Sequence, residues 1–130
     1  MSFEPQDFFY YAEELAGKTP SKPYNNEAKY RSIISRAYYA AFLLARDYCE
    51  LHTNLVIQHN GNDHTRVRDT FKNNRTDGRW VKIGIGLGIL LENRTFADYN
   101  DPIPNLPNLA EMMLARAAFV LRLLESLPQN

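Results

Sequence analysis

Apolar positions recur along the chain at spacings of three and four and show no sustained alternation at two. This predicts helices throughout and essentially no sheet. The clearest run is Tyr30, Ile34, Ala37, Ala41, Leu44, Tyr48 and Leu51, a single stripe over about six helical turns. Asn25 or Asn26 suits the cap of this helix, with Glu27 in its first turn. Tyr38, Phe42 and Cys49 flank the stripe on one side, Ile33 and Ala40 on the other, so the apolar arc covers about 200°. A helix packed on one side needs little more than half of that. The segment is therefore the central helix of a bundle, part of a subunit interface, or both.

The other elements follow from caps and breakers. A first helix lies between Pro5 and Gly17, with acidic residues in its early turns and glycine as its stop. Thr19–Pro23 is a loop. The pattern breaks over Thr53–Asp63, where Asn60-Gly61-Asn62 has turn chemistry. A short basic helix over His64–Asn73 follows, and Asp77 caps a fourth from Gly78 to Ala97. Pro102, Pro104 and Pro107 make 100–107 a connection. The last helix spans Asn108–Ser126, with Ala110, Met113, Ala117, Val120, Leu121 and Leu124 facing inward. The expected fold is all-α: an up-and-down bundle of four main helices plus one short one, forming a single domain over residues 1–130.

With 130 residues, such a domain buries enough surface to fold without a staple or metal. Fifteen basic residues balance fifteen acidic ones, which removes whole-molecule attraction to nucleic acid or anionic membrane but not a local patch. Cys49, alone, excludes an internal disulfide. The first seventeen residues carry four acidic groups and no basic one, unlike a signal peptide, and the longest apolar run, Ile83–Leu91, is far short of the ~20 residues of a membrane span. A cytoplasmic protein without a membrane partner is expected.

Several strings invite chemistry. Gly84-Ile-Gly-Leu-Gly88 lacks the preceding strand and following Lys-Ser/Thr of a phosphate loop, so close helix packing explains it better. His52, His59 and His64 have no metal-ligand spacing and suit exposed or loop-packing roles; no metal or other cofactor is expected. Between His64 and Arg94, seven Lys and Arg face three acidic residues, a local excess of +4. Arg66, Arg68, Lys72 and Arg75 are its candidate phosphate ligands, weighed against an ordinary solvated helix face. Arg94 extends the stripe of Trp80, Ile83, Leu87 and Leu91 to within about 60° on the wheel. An arginine there needs an acceptor. Either Asp98, one turn on, is its structural partner, or Arg94 lines a cleft and is held ready for a phosphate.

"YRSIISRAYYAAFLLAR" (30–46) followed by "LGILLENRTFADYN" (87–100) resembles the HEPN family of small helical bundles. The resemblance is specific over these two segments, about a quarter of the chain, and is carried by the strings Arg36-Ala-Tyr-Tyr-Ala40 and Leu87–Tyr99. Many members of that family are metal-independent ribonucleases of toxin or defence systems that work as dimers, with a motif of arginine, a polar residue and a later histidine. The resemblance matches Arg94 to the arginine and Thr95 to the polar position, and it places Tyr99 where an R-x4-H motif has its histidine. Tyrosine, with a pKa near 10, exchanges protons poorly at neutral pH. The resemblance thus implies a homodimeric, catalytically degenerate binder of RNA or nucleotide phosphates, within a toxin–antitoxin or defence system and with a possible cognate partner protein. Its alternatives are an active endoribonuclease using Arg94 with Tyr99, or with a histidine brought near by folding, and a pure protein-interaction module. The expected site is a cleft at the end of the fourth helix lined by Arg94, Asp98 and Tyr99, with Arg36 as neighbour.

Overall fold

The computed structural model describes residues 3–129. Five helices follow one another: α1 (Asp7–Leu15), α2 (Glu27–His52), α3 (Asp63–Lys72), α4 (Gly78–Tyr99) and α5 (Leu106–Ser126). Among the described residues there is no strand. The all-α expectation is met, with α2, α4 and α5 forming the bundle proper.

The ends of the helices have local causes. Asp77 caps α4 by accepting the Arg79 N–H at 2.9 Å. Ahead of α2, the Asn25 side chain accepts the Glu27 N–H at 2.9 Å, while Asn26 makes no side-chain cap. Gly17 closes α1 with φ +81°, the left-handed conformation that glycine adopts without steric cost. Two boundaries differ from the sequence pattern. Pro5 sits in the turn before α1, and α5 begins at Leu106, because Pro107 falls in its first turn where a missing N–H costs nothing.

Side-chain contacts fix the directions. Arg31 near the start of α2 reaches Ala97 near the end of α4, and Tyr48 meets Trp80 at the opposite ends, so these helices are antiparallel. Arg79 at the start of α4 donates to the Ser126 carbonyl at the end of α5, which makes that pair antiparallel as well. His64 lies against Phe42 and Phe71 near Tyr48, so α3 runs in the same direction as α2. The 53–62 segment must therefore double back along α2. Asp63 holds it by accepting the Gln58 and Asn60 N–H groups at 3.0 and 3.2 Å, and Arg66 ties it further by donating to the Val56 carbonyl at 2.8 Å.

The core is built from Ile34, Tyr38, Ala41, Phe42, Ala45 and Cys49 of α2, Val67 and Phe71 of α3, Ile83, Leu87 and Leu90 of α4, and Met113, Ala117, Val120 and Leu124 of α5. On α2 the sequence stripe holds at Ile34, Ala37, Ala41 and Tyr48 but fails at Leu44 and Leu51, which are exposed by 53% and 81%. The buried line runs instead through Tyr38, Phe42, Ala45 and Cys49, because α3 and α4 pack on that side. Leu121 is only partly buried and lines a groove with Leu44 and Leu51.

Candidate functional site

The two family-like strings, far apart in the chain, meet where α2 passes the end of α4. Arg94 and Asp98 form an i,i+4 ion pair with Nε to Oδ2 at 3.0 Å, both side chains more than three-quarters buried. The Arg94 Nε–H is not aligned on that oxygen and makes no hydrogen bond. Charge, rather than hydrogen-bond geometry, holds the pair. The guanidinium carbon also lies 5.1 Å from the centroid of the Tyr39 ring, a cation–π contact on the arginine's other side.

Tyr39 and Asp98 continue into a cleft of about 280 Å³ whose other walls are Phe8, Ser32, Ser35 and Arg36. Arg36 is exposed and makes no ion pair or hydrogen bond among the described residues. The serine hydroxyls are equally unengaged. Elsewhere on the helices Thr65, Thr70 and Ser126 turn their hydroxyls back onto carbonyls of the preceding turn, whereas Ser32 and Ser35 do not.

A third element completes the region. His64 of α3 stacks on Phe42 with centroids 4.3 Å apart, hydrogen-bonds Tyr38 Oη through Nδ1 and lies edge-on to Tyr39. Burial, reinforced by the Arg94 charge, pushes its pKa below the ordinary 6.5, while Asp63 works the other way. Burial likewise pushes the Tyr38 hydroxyl well above its ordinary value of 10, so it keeps its proton. A neutral imidazole and the Arg94 guanidinium thus both lie against the Tyr39 ring. Sequence spacing could not find His64, since it reaches the site only because α3 lies alongside α2.

The other expected ligands are dispersed. Neither Tyr99 nor Arg94 lines the cleft, so the expectation is corrected to exclude both: Tyr99 is 78% exposed and stands about 100° around the helix from Asp98, and Arg94 adjoins the cleft only through its contacts with Asp98 and Tyr39. Arg66 is occupied by the Val56 carbonyl and by Asp63 at 3.3 Å. Arg68 pairs with Asp69 at 3.0 Å and lays its stem across Gly88. Lys72 and Arg75 are exposed, without ion pairs among the described residues. Arg79 is chelated by Asp77 and the Ser126 carbonyl. Much of the local +4 excess therefore serves internal contacts. Among the described residues no cluster of His, Cys, Asp or Glu could hold a metal ion, and no helix is long and apolar enough to cross a membrane.

The depressed pKa of His64 makes stability pH-dependent. In the folded state the imidazole resists protonation, so its stabilising contribution is complete above about 6.5 and is lost as pH falls through the lower folded value. The groups facing it are Tyr38 and Tyr39 from α2, Asp63 from α3, and Arg94 from α4. Thermal unfolding followed between pH 7.5 and 5 should show a falling midpoint in the native chain and a flatter profile in His64→Gln. Parallel profiles would mean that His64 titrates as in the unfolded chain.

No family model and no solved structure matches the chain. Among curated proteins, an uncharacterized protein of Methanocaldococcus jannaschii is 35% identical over 109 residues, covering 75% of this chain. The chain spans 63% of that protein's length.

Proposed function

We propose that the chain is a HEPN-like helical protein that binds RNA or nucleotide phosphates at the Arg36 cleft, which the Arg94–Asp98 pair adjoins through Asp98. The observation that carries the reading is Arg36. It is an exposed cation without an anionic partner among the described residues, in a cleft that also offers two unengaged serine hydroxyls and whose one carboxylate, Asp98, is already paired with Arg94. Guanidinium forks and hydroxyl donors are what a phosphate requires. Asp98, which lines the cleft, carries the Arg94 charge beside it at 3.0 Å, so its carboxylate does not repel a phosphate as a free one would. A homodimer belongs to the same reading, with exposed Leu44 and Leu51 as its apolar face, as does a place in a toxin–antitoxin or defence system.

The test is fluorescence anisotropy with a labelled single-stranded RNA 12-mer. Arg36→Gln should weaken binding about 10–100-fold, the worth of a hydrogen bond to a charged group. It should leave the melting temperature nearly unchanged, since an exposed, unpaired side chain contributes little to folding. Unchanged affinity in Arg36→Gln would remove the cleft from the proposal.

A second reading, a metal-independent endoribonuclease, is favoured by His64. A neutral imidazole beside Arg94 supplies the proton exchange that Tyr99 cannot, and the arginine would stabilise charge developing on the phosphate during attack by the ribose 2′-hydroxyl. RNA incubated with excess EDTA distinguishes the two. Cleavage abolished by His64→Gln and by Arg94→Leu makes the chain an enzyme; binding without cleavage keeps it a binder.

A further inference from the structure

Tyr38 lies on α2 one turn from both Ile34 and Phe42 and is 1% exposed. An enclosed O–H without an acceptor is costly. Among the described residues the Tyr38 hydroxyl has a single hydrogen-bond partner, Nδ1 of His64. The hydroxyl can give its hydrogen to that nitrogen or accept one from it. Acceptance would leave its own hydrogen enclosed with nothing to receive it. Donation satisfies both atoms at once. Nδ1 is then the acceptor, and the single ring hydrogen of the neutral imidazole sits on Nε2. Phe42, stacked on the ring at 4.3 Å, holds its plane.

Nε2 itself has no partner in the fold. Among the described residues the enclosed side-chain nitrogens lacking one are Arg31 Nε and Arg94 Nε, so Nε2 of the half-buried His64 opens to solvent. The surroundings favour an anion there. The Arg94 charge opposes protonation of the ring more than the Asp63 charge favours it. The Asp63 carboxylate is also spent, on the N–H groups of Gln58 and Asn60 and on Arg66. Tyr39, which touches both His64 and Arg94, is a wall of the Arg36 cleft, so the imidazole adjoins that cleft through this ring.

We infer that Tyr38 is a positioning residue that locks His64 in the Nε2–H tautomer, so that the imidazole offers a hydrogen bond to a phosphate oxygen and no base to a ribose hydroxyl. This role rests on the binding reading and sharpens it. An endoribonuclease needs an acceptor nitrogen facing the 2′-hydroxyl. Here Nδ1 is taken by Tyr38, and Nε2 carries the hydrogen. The anionic oxygens of a phosphodiester only accept, which matches a group that only donates.

The experiment uses the full chain labelled with 15N-histidine. Its imidazole nitrogens are correlated with the ring protons at neutral pH, and His64 is assigned by its loss in His64→Gln. The native chain should show His64 purely as the Nε2–H tautomer. Tyr38→Phe, which removes only the hydroxyl, should show a mixture of both tautomers with its helicity kept. In the RNA anisotropy assay, His64→Ala should weaken binding about tenfold, the worth of a hydrogen bond to a charged group. His64→Gln, whose amide supplies N–H donors near the Nε2 position, should stay within about threefold of the native affinity. A Nδ1–H tautomer in the native chain, or the same pure tautomer in Tyr38→Phe, would overturn the lock while leaving binding at Arg36 standing. Native affinity in His64→Ala, or equal losses in the alanine and glutamine variants, would overturn the donor role. RNA that fails to bind the native chain would remove the binding reading and the donor role with it.

Discussion

Arg31→Ala should lower the melting temperature by roughly 10–20 °C, corresponding to about 3–5 kcal/mol for breaking a buried, hydrogen-bonded charge site in a domain of this size. Arg31 is only 1% exposed. Its Nη1 donates to the Ala97 and Asn100 carbonyls at 2.6 and 2.7 Å, and its Nη2 to Glu27 at 3.1 Å, with Asp101 at 3.8 Å. The guanidinium sits 4.4 Å from the Phe3 ring centroid. One side chain thus serves the C-terminal carbonyls of α4, where a cation also suits the helix dipole. It also joins the start of α2 to the connection after α4. Alanine would leave those buried carbonyls without a donor. Lysine, with one compact ammonium, would recover only part of the loss. Circular dichroism at 222 nm during heating reads the effect, and a drop of under 3 °C in Arg31→Ala would refute the clamp.

The second large effect is expected at Gly84. A Cβ there would collide with the backbone of Lys72 on α3, whose Cα would stand 2.6 Å away, and backbone cannot rotate aside. At Gly86 the obstacle is Val120 Cγ2 of α5 at 2.5 Å, the end of a short, buried side chain. At Gly88 it is Arg68 Cδ at 3.3 Å, part of a flexible stem. Replacing glycine by alanine within a helix is worth about 1 kcal/mol in favour of alanine before any clash is counted. Gly84→Ala should therefore destabilise by about 2–3 kcal/mol net through overpacking, Gly86→Ala by less, and Gly88→Ala should be neutral or stabilising. Urea denaturation of the three variants checks the order. A destabilised Gly88→Ala beside an unaffected Gly84→Ala would mean that α3 and α4 are not packed as described.

Periodicity made the helices legible, and helix packing was the right reading of the three glycines. What it could not supply was the side from which α2 is covered. Leu44 and Leu51 are as apolar as any core residue, and only the course of the 53–62 segment decides that α3 packs on the Phe42 side instead. Arg94 could be singled out because it interrupts an apolar stripe, and its partner Asp98 followed from one-turn spacing. The same logic would have found Arg31, which falls on the line through Ile34, Tyr38 and Ala41 with Glu27 one turn before it. His64 lay beyond this reasoning, since its neighbours Tyr38 and Phe42 are more than twenty residues away. Tyr99 failed for a simpler reason: one residue beyond Asp98, it turns off the face that Asp98 presents to the cleft.

Among the helices α1 touches only α2, and through Phe8 it provides one wall of the cleft that holds Arg36. An element attached to a single neighbour opens at far lower free energy than the bundle it leans on. Detachment of α1 would widen the cleft without disturbing the Arg94–Asp98 pair, which belongs wholly to α4. The width of the cleft beside the exposed Arg36 is then governed by a local equilibrium at the edge of the fold, and a ligand bridging Phe8 and Arg36 would draw α1 into the cooperative unit that α2, α4 and α5 already form.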